Sequence, residues 1–210
     1  PEKWPTFWND FFSFDETFIL RFLDVFCIEC SQLTPEKLQT FSAFKAALAA
    51  CSAIERIYQI CFEKMKEKLT IAFSIVSSLC TWTDFLWITE EATFSILLSG
   101  LEDKSCIRLV FKTFNNIIMR NMPDESKIAL IGNFGNTERI SQICTEAADE
   151  DIYCAAAKLI YSSGLILLNT ESSQEYYELA IQFMSVSHEV AKTVTPFISA
   201  FTKVYMEAVP

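Results

Sequence analysis

Four glycines, Gly100, Gly132, Gly135 and Gly164, are all that punctuate this chain of 210 residues. That scarcity constrains the fold more than any other feature. Prolines inside the chain are equally few, at Pro5, Pro35, Pro123 and Pro196. Sheet folds and phosphate-binding α/β folds use both residues freely at their turns. Few breakers between long apolar runs therefore predict helices joined by short connections.

The apolar positions agree, recurring at helical spacing almost throughout. Phe18, Phe22, Phe26 and Cys30 form one stripe, with Ile19, Leu23 and Cys27 beside it. Others are Ile54, Ile57, Tyr58, Cys61 and Met65; Ile107, Val110, Phe111, Phe114, Ile117 and Ile118; and Val190, Val194, Phe197, Ile198, Phe201 and Tyr205. No sustained period-two pattern occurs, so no sheet is expected. Thr34-Pro35 reads as a cap followed by a first-turn proline, and Asp15, Thr89, Asp124, Thr137 and Ser172 or Ser173 as further starts. Asn133-Phe-Gly-Asn136 reads as a helix stop and turn. These signals predict helices over 5–13, 15–31, 35–51, 53–67, 68–81, 90–101, 104–121, 124–133, 137–148, 150–169, 173–186 and 189–208.

Paired in order, the helices make about six antiparallel hairpins starting near Pro5, Pro35, Lys68, Lys104, Thr137 and Ser173. A regular spacing of this kind predicts an all-α solenoid, in which each pair is stabilised by stacking on its neighbours. Short HEAT-like repeats fit, although such units usually run to about 40–47 residues. Tetratricopeptide repeats have a nearer period, about 34 residues, but their tryptophan and glycine signature is missing. The expectation is one solenoid segment over residues 1–210.

Little in the chain points to chemistry. Cys27-Ile-Glu-Cys30 lacks the second cysteine pair of a zinc site and sits within a helical stripe, so it reads as core. His188 is the sole histidine and has no nucleophile arrangement around it. Gly132-Asn-Phe-Gly135 lacks the lysine and hydroxyl of a phosphate loop. No enzyme, cofactor or metal site is expected. The eight cysteines show no compact disulfide spacing, which predicts reduced thiols and an intracellular setting. The longest uncharged run, 69–83, has 15 residues, short of the ~20 that a membrane span needs.

Charge is more informative. The net charge of −10 disfavours a simple nucleic-acid binder, but its distribution is uneven. From Lys104 to Lys127 there are five basic residues and two acidic ones. Lys104, Arg108 and Lys112 share a helix face, and Arg120 continues it. Lys64, Lys66 and Lys68 form a lesser basic set. From Glu138 to Glu189 there are nine acids and two bases, densest at Asp149-Glu150-Asp151 with Glu146 nearby. Both regions read either as solvated faces or as ridges, basic for phosphates and acidic for a basic partner.

A family resemblance accompanies these patterns. Trp4-Pro5-Thr-Phe7-Trp-Asn-Asp10-Phe resembles the W-P-x-F-x-x-D helix of importin-β-type transport receptors. Trp82-Thr-Asp84-Phe-Leu-Trp-Ile88, followed by Phe94-x-x-Leu-Leu98, resembles the W-x-D-L-x-x-I and F-x-x-L-L run of the tRNA exportin family (exportin-t). Phe114 to Ile131, with Met122-Pro-Asp-Glu-Ser-Lys127 at its centre, resembles that family's next run, as does Asp151-Ile-Tyr through Gly164-Leu-Ile. The family glutamate is Phe114 here, and the glycine before the methionine is Asn121.

The resemblance implies a superhelix of HEAT repeats and an interior piece of its N-terminal half. Trp4, Phe7, Trp8 and Phe11 are then expected to pack against a preceding repeat. It implies a non-enzymatic receptor, shuttling between nucleus and cytoplasm, that binds tRNA cooperatively with Ran-GTP on its concave face and meets nuclear pore proteins. Lys104, Arg108, Lys112 and Arg120, with Lys64, Lys66 and Lys68, are expected to contact tRNA. Glu146, Asp149, Glu150 and Asp151 are expected to contact Ran. A receptor for protein cargo and a scaffold without RNA binding remain the alternatives.

Overall fold

The computed structural model describes residues 4–32, 38–84, 88, 90–134 and 136–207. Among them lie twelve α-helices and no strand. In chain order they are α1 (Trp4–Phe11), α2 (Glu16–Ser31), α3 (Leu38–Ala50), α4 (Ala53–Lys66), α5 (Thr70–Leu79), α6 (Glu91–Ser99), α7 (Lys104–Ile118), α8 (Asp124–Phe134), α9 (Thr137–Ala147), α10 (Glu150–Leu167), α11 (Ser173–Phe183) and α12 (His188–Glu207). A short 3-10 turn, Gly100–Glu102, leads into α7. Among the described residues no helix is long and apolar enough to cross a membrane.

Side-chain caps set several of the starts. The Asp15 carboxylate accepts the Thr17 and Phe18 amides at 3.0 and 3.3 Å, satisfying N–H groups that have no partner within the helix. At α9 the cap is Asn136, which accepts the Arg139 amide at 3.0 Å; the expected cap, Thr137, is instead the first helical residue. Asp149 caps α10. Thr34, Pro35 and Thr89 lie outside the described residues. Among the described residues, three connections turn through left-handed backbone, at Ser52, Lys68 and Ala148.

The chain divides into two compact units, Pro1–Leu109 and Val110–Pro210. In the first, α2 packs against α5, and α4 against α3, α5 and α6. Its core holds Trp8, Leu23, Cys27, Tyr58, Cys61, Phe73 and Leu79. The Tyr58 hydroxyl lies 2.7 Å from Thr83 Oγ1, so this buried polar pair is satisfied.

The opening aromatics differ from the expectation. Trp8 and Phe11 are buried inside this unit, at 2% and 3% exposure. Trp8 packs edge-on against Phe11 and Phe26, with ring centroids 5.4 and 5.8 Å apart. Phe7 stays 45% exposed. The phenylalanine stripe of α2 is exposed at its start: Ile19, Leu23 and Cys27 are buried, whereas Phe18 and Phe22 flank that face and remain exposed, and Phe26 is half-buried. Cys30 is only half-buried.

In the second unit, α10 packs against α8, α9, α11 and α12; α9 also meets α11, and α11 meets α12. Small residues on α10, including Ala156, Ala157, Ser162, Ser163 and Gly164, form much of its buried face and let neighbours approach closely. The Phe197 ring of α12 lies directly over Gly164. Phe114 meets Phe134 at 3.9 Å between centroids, and Ser162 Oγ donates to Asn115 Oδ1 at 2.8 Å. α12 runs through Pro196, which removes one helical hydrogen bond, and buries Val190, Val194, Phe197 and Phe201.

Candidate functional site

α7 is buried over most of its circumference by Cys106, Ile107, Val110, Phe111, Phe114 and Ile117. What reaches solvent is a narrow stripe, and its charged residues, Lys104, Arg108 and Lys112, are all cations. Four residues separate each from the next, a rise of about 6 Å. Arg120 lies just past the helix end and is half-buried. Lys104 stands in the first turn, where the partial positive charge of the helix terminus disfavours a cation. Helix stability therefore does not account for it. Beside it, Asp103 accepts the Ser105 hydroxyl and amide at 2.8 and 2.9 Å. Those two bonds hold its carboxyl below the usual range, so a fixed anion sits at the base of the stripe.

The lesser basic set is differently placed. Lys64 pairs with Glu16, and with Glu67 at 3.0 Å. Lys66 pairs with Glu63 at 2.7 Å, and Lys68 with Glu102 at 3.0 Å. Three lysines thus meet four carboxylates. The hydrogen bonds that Lys64 donates to Glu16 and Glu67 raise its pKa. A phosphate at this face has to displace acids already in contact with the amines. Glu63 and Glu67 lie three residues from their lysines, a spacing visible in the sequence, whereas Glu16 and Glu102 are brought in only by the fold.

The acidic ridge separates into two roles. The Asp149 carboxylate accepts the Asp151 and Ile152 amides at 2.9 and 3.3 Å, so it is occupied as the cap of α10. Glu150 and Asp151 fall in the first turn, where acids stabilise a helix; both are exposed, as is Glu146. Glu146 belongs to a feature that sequence reasoning missed. It lines a groove of about 770 Å³ between α9 and α11, together with Glu138, Glu175 and Glu178. A faint signal existed: polar positions recur at helical spacing from Glu138 through Gln142 to Glu146, and from Glu175 through Glu178 to Gln182.

The remaining reactive groups are set against nucleophilic chemistry. Burial pushes the Cys27 thiol well up, and burial together with Glu29 raises Cys30 to about 11, so the pair holds little thiolate near neutrality. None of the eight cysteines is in a disulfide. His188 is exposed at the start of α12. Among the described residues no three metal-ligating side chains gather around one point. No protein-family model matches the chain, and no curated protein is detectably similar to it.

Proposed function

We propose that the chain is a HEAT-like solenoid segment of about six antiparallel helix pairs, and that it serves a nuclear export receptor for tRNA which also engages Ran-GTP and nuclear pore proteins. The observation that carries this reading is the α7 stripe: in a chain of net charge −10, the charges that α7 exposes are cations spaced one helical turn apart. Contacts to phosphate read the shape of an A-form helix and not its sequence, which suits a receptor that accepts many tRNAs. The solenoid reading is supported by helix contacts in residues 110–210, which run between successive and next-but-one helices, as stacked hairpins require. Glu146, Glu150 and Asp151 are the proposed Ran contacts, with Asp149 holding the local backbone.

Gel-shift titration of tRNA against salt tests the reading. Arg108→Ala/Lys112→Ala is expected to weaken binding and to flatten the slope of log K against log salt by about 0.9 for each phosphate the variant no longer neutralises. An unchanged slope removes α7 from the interface. The overall acidity favours a second reading, a receptor for protein cargo or a scaffold without RNA binding. On that reading tRNA uptake is absent in wild type and does not appear when Ran-GTP is added.

A further inference from the structure

We propose that the groove between α9 and α11 binds an extended basic segment of a partner polypeptide, anchored by one apolar side chain. At Asn136 and Glu175 the groove runs into a second recess of about 250 Å³, walled in part by Ile128, Ile131, Leu167 and Tyr176. The whole feature is thus a polar, acidic channel with an apolar end.

The four carboxylates call for a cation from outside. No lysine or arginine lines the channel, and among the described residues none of the four is ion-paired. Two of them are held by neutral amides: Gln142 Nε2 donates to Glu146 at 2.7 Å, and Gln174 Nε2 to Glu178 at 2.8 Å. Helix stability explains only half the set. Glu138 and Glu175 stand in first turns, where the helix terminus favours them. Glu146 stands in the last turn of α9, where it does not. Glu178 lies three residues from Glu175, a like-charge spacing that destabilises a helix.

The arrangement also selects among cations. The carboxylates do not converge as a metal site needs; they are spread along the channel and match a string of charges. The recess distinguishes a peptide from a polyamine. Its Ile128 is 37% exposed, and at Gly132 nothing lies within 4 Å of where a Cβ would stand. That leaves open space for an aliphatic side chain. The channel shares no residue with the α7 stripe, so tRNA binding and peptide binding succeed or fail separately.

The test is fluorescence anisotropy of a labelled Leu-Lys-Arg-Lys-Arg-Lys peptide with the full chain. We expect saturable binding that weakens about tenfold in Glu175→Gln/Glu178→Gln, and about tenfold again when glycine replaces the leucine of the peptide. Both substitutions are at exposed positions, and an unchanged melting temperature verifies the fold. Glu150→Gln/Asp151→Asn, on the ridge outside the channel, is expected to leave peptide binding intact. No saturable binding, equal binding by the Glu175→Gln/Glu178→Gln variant, or equal binding of the leucine-free peptide overturns the proposal. Spermine binding as tightly as the peptide overturns it in favour of a polyamine site.

Discussion

Replacing Gly164 with alanine tests the packing of residues 110–210 most directly. A Cβ built there lies 2.5 Å from Phe197 Cζ and 2.6 Å from both Cε atoms. Carbon atoms settle at about 3.5–4.0 Å, so the ring has to retreat by about 1 Å or α10 and α12 have to part. A ring tip can swing aside cheaply at a surface, but Phe197 is fully buried and meets Phe201 edge-on at 6.3 Å. Overpacking of this kind costs about 1–3 kcal/mol. Alanine recovers up to about 1 kcal/mol of helix propensity relative to glycine. The net is a loss of about 1–2 kcal/mol, or about 5–15 °C in the melting temperature of a unit this size. Circular dichroism melts read it directly. Phe197→Leu removes the ring tip, so it is expected to cost less in the Gly164→Ala background than on its own, with a coupling of at least about 0.5 kcal/mol. If Gly164→Ala melts at or above wild type, the close approach of α10 and α12 is wrong.

Three other positions give independent readouts. Asp149→Ala should cost about 1 kcal/mol through loss of the α10 cap, read by urea unfolding, whereas Glu150→Gln, one residue on, should cost less than half of that. Trp8→Ala should cost about 3–5 kcal/mol by emptying a core position; a negligible loss would mean that Trp8 does not pack inside residues 1–109. Burial raises Tyr176 to about 12, above the free phenol near 10. Its contribution is therefore complete below about pH 10 and is lost as pH rises toward the folded value. Burial raises Tyr58 as well, so ultraviolet titration should show two tyrosines ionising late in wild type and only one in Tyr176→Phe.

Helices were legible because stripe spacing and caps agreed. The reading of 150–169 meets Glu150–Leu167, and that of 53–67 meets Ala53–Lys66. At single residues the agreement weakens. Asn136 and not Thr137 caps α9, because the carboxamide reaches the Arg139 amide. Asp149 looked like one member of a charged ridge although its carboxylate is committed to backbone. What a side chain meets across the fold was less legible still. Lys64 finds Glu16 and Lys68 finds Glu102 through tertiary packing, which no local pattern encodes. The same holds for the α9–α11 channel, whose two acidic walls lie far apart along the chain. The α2 stripe erred through its phase: Phe18 and Phe22 repeat at helical spacing as faithfully as Ile19 and Leu23, and only the position of α5 decides which row turns inward.

The sealed cysteines give this protein built-in reporters of its own opening. Cys27, Cys61, Cys80 and Cys106 are buried in the first unit and Cys144 in the second. An alkylating reagent added to the native chain can label them only when that part of the fold has come apart. Counting labels by mass as time passes therefore separates the breathing of residues 1–109 from that of residues 110–210, with no dye attached and no residue changed.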